Sequence, residues 1–261
     1  MVMTGMLKWG NTTEEVSGTS GHIDAQWFPL PAGGGGTGGD PRATSYEWRT
    51  IHLDNGVDVV AWRQFDRRDR NAARPFTGAT VAYAATDRDP ECVDDIEVRT
   101  ESYVRWPESV HQLMRPPALA RYLPDRHTLT SKALGLEISA VPLVAAPAHA
   151  LPVEYMEGPF LFEGTMGGEP VRGFGISERS LALYRDWELV DVLATCAVYH
   201  GADDVAALVE RLRPMVVDGR RAEALDYLGS TMRPAVESLA TDTGELAQIP
   251  ADLATALSLS E

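Results

Sequence analysis

The period of the apolar residues switches once along this 261-residue chain, and that switch limits what it can fold into. From about residue 46 to 180 apolar side chains alternate, as on strands with one face turned inward. From about 182 onward they return every three or four residues, as on amphipathic helices. The alternation is clearest in YEWRTIHL (46–53) and VDVVAWRQFD (57–66), joined by DNG, where Asn55-Gly56 is predicted to supply the positive φ values of a tight hairpin. On the first of these strands Tyr46, Trp48, Thr50 and His52 share a face. DIEVRTESYVRW (95–106) reads as one strand carrying Ile96, Val98, Thr100, Ser102, Val104 and Trp106 on one side.

LGLEISAVPL (134–143) reads as a strand ended by proline, and EGPFLFEGTMGGEPVRGFGISERS (157–180) as a hairpin turning at Met166-Gly167-Gly168. Gly158, Gly164, Gly173 and Gly175 suit bent strands, where a side chain would crowd the neighbouring backbone. Strands of this length joined by short turns, with no helical pattern between them, predict an antiparallel β-barrel or sandwich. Four helix-like segments follow (181–200, 202–214, 218–229, 230–240), broken at Gly201, Pro214, Gly219 and Gly229, and the last dozen residues are expected to fray. The predicted organisation is an N-terminal strand and Gly-rich loop (1–45), a β domain (46–180) and a C-terminal α-helical extension (181–261).

Composition excludes several classes of function. A formal charge of -15, with the arginines of WRQFDRRDRNAAR (62–74) interleaved by aspartates, argues against nucleic acid as a partner. No run of roughly 18 to 20 apolar residues is present and the N-terminus lacks a signal-peptide pattern, so a cytoplasmic protein without a membrane span is expected. Cys92 and Cys196 have no CxxC spacing and read as reduced thiols. The six histidines form no HxH or HExxH pattern, so no metal site is expected. GGGGTGGD is not followed by GK[ST], and Ser45, Ser102 and Ser177 lie outside any GxSxG elbow.

What remains is a set of polar residues among aromatic strands: Asp24, His52, Glu154, Tyr155, Glu157 and Glu178, with Trp27, Trp48, Trp62 and Trp106. A carboxyl group facing an apolar cavity is pushed toward its protonated form and can donate a proton near neutral pH. Tryptophan faces can stabilise a developing cation. The plain alternative is that each carboxylate is satisfied by backbone at a barrel rim, and that His52 is an ordinary paired histidine.

Taken in order, SGTSGHIDAQW, YEWRTIHLDNGVDVVAWRQFD, RYLPDRHTLTSKALGLEISAVPL and VEYMEGPFLFEGTMGGEPVRGFGISER resemble the C-terminal half of the lipocalin-like carotenoid 1,2-hydratase (hydroxyneurosporene synthase) family. That family also includes kievitone hydratases and fungal cyclases that close decalin rings by Diels-Alder cycloaddition. The resemblance covers about residues 16–180. It implies a lipocalin-like β domain, a small hydrophobic substrate bound between or within two such domains, and no metal or organic cofactor.

Only one such domain is present here, so the resemblance implies that the C-terminal helices or a second subunit complete the pocket; a homodimer through those helices is one such arrangement. In the hydratase branch a histidine stands between the Asp and Trp of the opening motif. This chain has Ala25 there, with Asp24, Gln26 and Trp27 matching. The expected function is therefore a cofactor-independent cyclase or isomerase acting on a polyene, polyketide or isoprenoid. Asp24, His52 and Glu157 would move or hold protons, and Trp27, Trp48, Tyr155 and Trp106 would form the aromatic wall. The alternatives are a hydratase on the same scaffold and a lipocalin-like carrier without chemistry.

Overall fold

The computed structural model describes residues 3–18, 44–74, 77–84, 86–113, 119–146, 154–239 and 243–259. The chain divides into two units, Met1–Pro41 and Arg42–Glu261. In the first, β1 (Met3–Trp9) and β2 (Thr12–Gly18) form an antiparallel hairpin turning at Gly10, whose φ is 54°.

The second unit is built on a curled, antiparallel half-barrel sheet. Its strands are β3 (Thr44–Leu53), β4 (Val57–Asp66), β5 (Ala72–Ala73), β6 (Gly78–Tyr83), β7 (Glu91–Val93), β8 (Glu97–Thr100), β11 (His127–Ser131), β12 (Leu136–Pro142), β13 (Tyr155–Met166) and β14 (Glu169–Ser180). They lie in the order β7-β6-β4-β3-β14-β13-β12-β11-β8, with β5 beside the end of β4. A separate pair joins β9 (Tyr103–Arg105) to β10 (Tyr122–Pro124).

Turn chemistry accounts for the two longest hairpins. Gly167 and Gly168 adopt φ of 60° and 86°, the doubly left-handed turn that matches the twist of flanking strands. At Asp54–Gly56 only Gly56 has positive φ (81°). Asn55 contributes differently from the expectation, its Oδ1 accepting from Val57 N at 3.1 Å. Three of the four strand glycines are required by close approach. A Cβ at Gly164, Gly173 or Gly175 would sit 2.1, 2.4 or 1.7 Å from a carbonyl oxygen of the neighbouring strand.

The stretch 95–106 is two strands rather than one. Glu101 N and Ser102 N both donate to Arg126 O, at 2.7 and 3.3 Å, so the chain leaves the large sheet there and resumes as β9. The core face of the half-barrel is filled by Ile51, Val59, Ala61, Val81, Leu129, Ile138, Phe160 and Phe162, all at most 1% exposed. Each such Ile, Leu or Phe contributes about 1.5–3 kcal/mol by leaving water.

The helices are α1 (Glu108–His111), α2 (Asp186–Tyr199), α3 (Asp203–Val217), α4 (Arg221–Tyr227), α5 (Arg233–Glu237) and α6 (Ile249–Leu259). Gly229 does not break the chain as expected: a π turn, Leu228–Met232, joins α4 to α5, and α3 runs through Pro214. Nor does the C-terminus fray, since α6 buries Ile249, Leu253, Ala256 and Leu257 against Leu189, Val192 and Leu193 of α2's core. Tyr122 and Leu183 belong to the same helical core and bridge to one another, tying it to β10. Cys196 lies in this core, where burial pushes its thiol up to about 12, whereas Cys92 is exposed. No helix is long and apolar enough to cross a membrane among the described residues.

Two buried ion pairs fasten the helices and loops to the sheet. Arg67, just after β4, grips Glu188 of α2 through Nε (2.8 Å) and Nη2 (2.6 Å), with both side chains fully buried. Arg121 pairs with Glu154 at 3.2 Å. The Tyr184 ring lies against both guanidiniums, at 5.2 Å from Arg67 and 4.1 Å from Arg121.

Candidate functional site

Strand register places the chemistry. Residues opposite one another on adjacent antiparallel strands share a face, so the face turned away from the Phe160 core can be read row by row. One row runs Glu157, Glu178, Trp48, Trp62 across β13, β14, β3 and β4. Two rows along from it runs Leu161, Phe174, His52, Asp58. Tyr155 and Tyr46 flank the first row, on the far side from His52.

Two carboxylates therefore stand directly opposite, an arrangement that destabilises a sheet unless something compensates it. The Tyr46 hydroxyl donates to Glu178 Oε1, and Tyr155 bonds the same carboxylate. Burial pushes the hydroxyls of Tyr46 and Tyr155 up from the ordinary tyrosine value, and the Glu178 bond and charge push them further. Both remain protonated donors at neutral pH. The Tyr46 ring stacks on Trp62 with centroids 4.9 Å apart and planes 8° apart. Trp48 is 7% exposed and Glu178 6%, while Glu157 and Tyr155 are half-buried. Trp48 and Trp62 also line an open groove of about 700 Å³, with Val60, Ala79, Cys92 and Val93 along it.

Of the residues expected to carry function, Trp48, Tyr155 and Glu157 are thus brought together on one face. His52 is on the same face but removed: two strands and four residues from Glu157 is about 16 Å at ordinary sheet spacings. Its Nδ1 is hydrogen-bonded with Asp58 Oδ1 at 2.7 Å and its ring tilts against Phe174. Trp106 is not brought to this face. It is 1% exposed in a small cluster with Val110, Leu123, Met156 and Ala182, a consequence of the break at Glu101-Ser102. Asp24 and Trp27 lie outside the described residues.

The opposite, core-side face holds a second polar cluster that the sequence reading passed over. Glu47 meets Arg49 at 3.1 Å, Arg63 at 3.8 Å and Arg179 by a direct hydrogen bond. Burial alone would raise the Glu47 carboxyl, but the Arg49, Arg179 and Arg63 guanidiniums outweigh it and bring it down to about 2. His127 Nε2 lies 3.0 Å from Arg49 Nε, which donates to it, and 3.5 Å from Ser177 Oγ. Burial, then the Arg49 charge, hold His127 well below its usual value. It is therefore neutral, with its Nε2 lone pair taken by Arg49, and Ser177 with His127 is not an activated nucleophile. The signal for this cluster was present: in YEWRTIHL, Glu47 and Arg49 alternate with Ile51 and Leu53, which marks an ion pair on the apolar face.

Among the described residues, no group of three or more His, Cys, Asp or Glu is placed to hold a metal ion. No family profile matches the chain, and no curated protein matches it. Solved structures of similar fold include kievitone hydratase from Nectria haematococca, 16% identical with a TM-score of 0.40, covering 52% of this chain and 39% of that one. A second is a provisionally assigned AttH from Nitrosomonas europaea, 17% identical with a TM-score of 0.45, covering 69% of this chain and 49% of that one. The chain thus spans half or less of the length of these structures.

Proposed function

We propose that this chain is an acid-base enzyme that isomerises or cyclises an apolar, unsaturated small molecule with its own side chains. The observation that supports this most is the row Glu157, Glu178, Trp48 with two tyrosine hydroxyls on Glu178. In this reading Glu178, accepting from Tyr46 and Tyr155, faces positive charge developing on the substrate. Glu157, half-buried beside it in the same row, moves the proton. Trp48 and Trp62 form the aromatic wall of the groove, where orientation of a flexible chain contributes to the rate. Asp24 and Trp27 keep the roles expected from the sequence resemblance, and His52 orients substrate at the far end of the face.

Hydration is the second reading, favoured by the half-exposure of Glu157, which leaves it within reach of water. The test is incubation of the protein with a lipophilic extract of the cells that make it, in water enriched in oxygen-18. An isobaric, unlabelled product supports isomerisation or cyclisation, and a labelled product supports hydration. Recovery of a bound compound unchanged would leave only a carrier.

A further inference from the structure

A cavity of about 320 Å³ lies between the rim of the half-barrel and α2, on the other side of the sheet from the Glu157 row. Arg63, Arg179 and Glu47 line it, with Tyr103, Phe65 and Leu183. Three guanidiniums, those of Arg49, Arg63 and Arg179, surround the one carboxylate of Glu47, so two positive charges are in excess. In a chain of formal charge -15 that local excess is notable for its sign, with Arg49 and Arg179 buried and Arg63 partly so. The other carboxylates on the wall are committed elsewhere. Glu188 holds Arg67 with both oxygens and also accepts from the backbone N–H of Tyr184 and Arg185. Asp191 holds Arg213.

Burying unneutralised charge is costly, and planar guanidinium forks match carboxylates in both charge and geometry. The cavity is at the small end of the range for ligand sites, and its walls are mixed: Phe65, Val98 and Leu183 are apolar, while Thr100, Tyr103 and Asn71 are polar. The Asn71 Oδ1 is buried without a partner, and with the amide turned over it would present N–H donors.

We propose that this cavity binds a small organic carboxylate, its oxygens on Arg63 and Arg179 and its apolar part against Phe65 and Leu183. The site does not depend on the chemistry of the opposite face, because the sheet separates the two. The test is calorimetric titration of the full chain with benzoate, benzamide and inorganic phosphate at constant ionic strength. Benzoate is expected to bind once per chain and benzamide not at all. Arg63→Gln should weaken benzoate at least about tenfold, as loss of a charge-assisted bond does. Thr195→Trp, which fills the cavity from α2, should abolish binding and serves where Arg63→Gln perturbs folding. Absence of benzoate binding at about 10 mM, where a millimolar site is filled, overturns the proposal. So does equal binding by Thr195→Trp, or phosphate binding as tightly as benzoate.

Discussion

At the scale of single residues, the buried ions dominate what can be measured. Glu188→Gln leaves Arg67 charged and unpaired in a site with no exposure, and should cost about 3–5 kcal/mol in denaturant unfolding. Replacing both partners by Met and Leu should restore only part of that loss, because it removes the orphaned charge but leaves the backbone N–H groups of Tyr184 and Arg185 without their acceptor. Acid acts on the other cluster in two windows. His127 is depressed when folded, so the unfolded chain binds its proton first, and stability should fall as pH drops below about 6.5. Glu47 is depressed to about 2, so its contribution is present above about 4.5 and is lost as pH falls toward 2. His127→Gln should flatten the slope between pH 5 and 7, by up to about 1.4 kcal/mol per pH unit. An unchanged slope in a urea series would show that His127 is not the titrating group.

At the scale of elements, glycine positions separate requirement from tolerance. Gly175→Ala drives a Cβ to 1.7 Å from Thr50 O in the middle of β14 against β3, and should cost at least about 3 kcal/mol. Gly229→Ala, in the π turn between α4 and α5 with nothing within 4 Å, should be neutral or stabilise by about 0.5–1 kcal/mol. Both are read by thermal or urea midpoints. These elements also show what alternation reveals and what it hides. The hairpins at 44–66 and 155–180 were legible because turn glycines and two-residue periodicity agree. The break after β8 was not, because alternation continues through Glu101-Ser102 and the cause is Arg126 O, just before β11. α6 was missed for a related reason: it is short, and the residues it packs against lie far away in the sequence, in α2.

For the candidate site, the sequence showed that Trp48 and His52 share a face, but not which face is the core. The two sides of β3 look alike in composition and both are buried, with Glu47 and Arg49 on the core side and Trp48 and Thr50 on the other. Only pairing across β14 and β13 shows that Trp48 and Glu157 stand in one row while His52 does not.

At the scale of the whole molecule, the helical extension is bound to the sheet rather than appended to it. Arg67 reaches Glu188, while Tyr122 and Arg105 reach Asp252 of α6 at 2.6 and 2.8 Å. A chain ended at residue 181 should therefore lose its near-ultraviolet circular dichroism and its cooperative unfolding. A cooperative, native-like fragment would mean that the β region folds without the helices.

The account as a whole rests on Glu157 as the proton-moving group beside a tyrosine-clamped Glu178. Its most direct test is the single-turnover rate of Glu157→Gln against the unaltered chain, on whichever compound of the lipophilic extract the protein converts. With the thermal midpoint unchanged, the account predicts a loss of about 10²–10⁴, the usual contribution of a positioned acid or base; a rate within about twofold would contradict it.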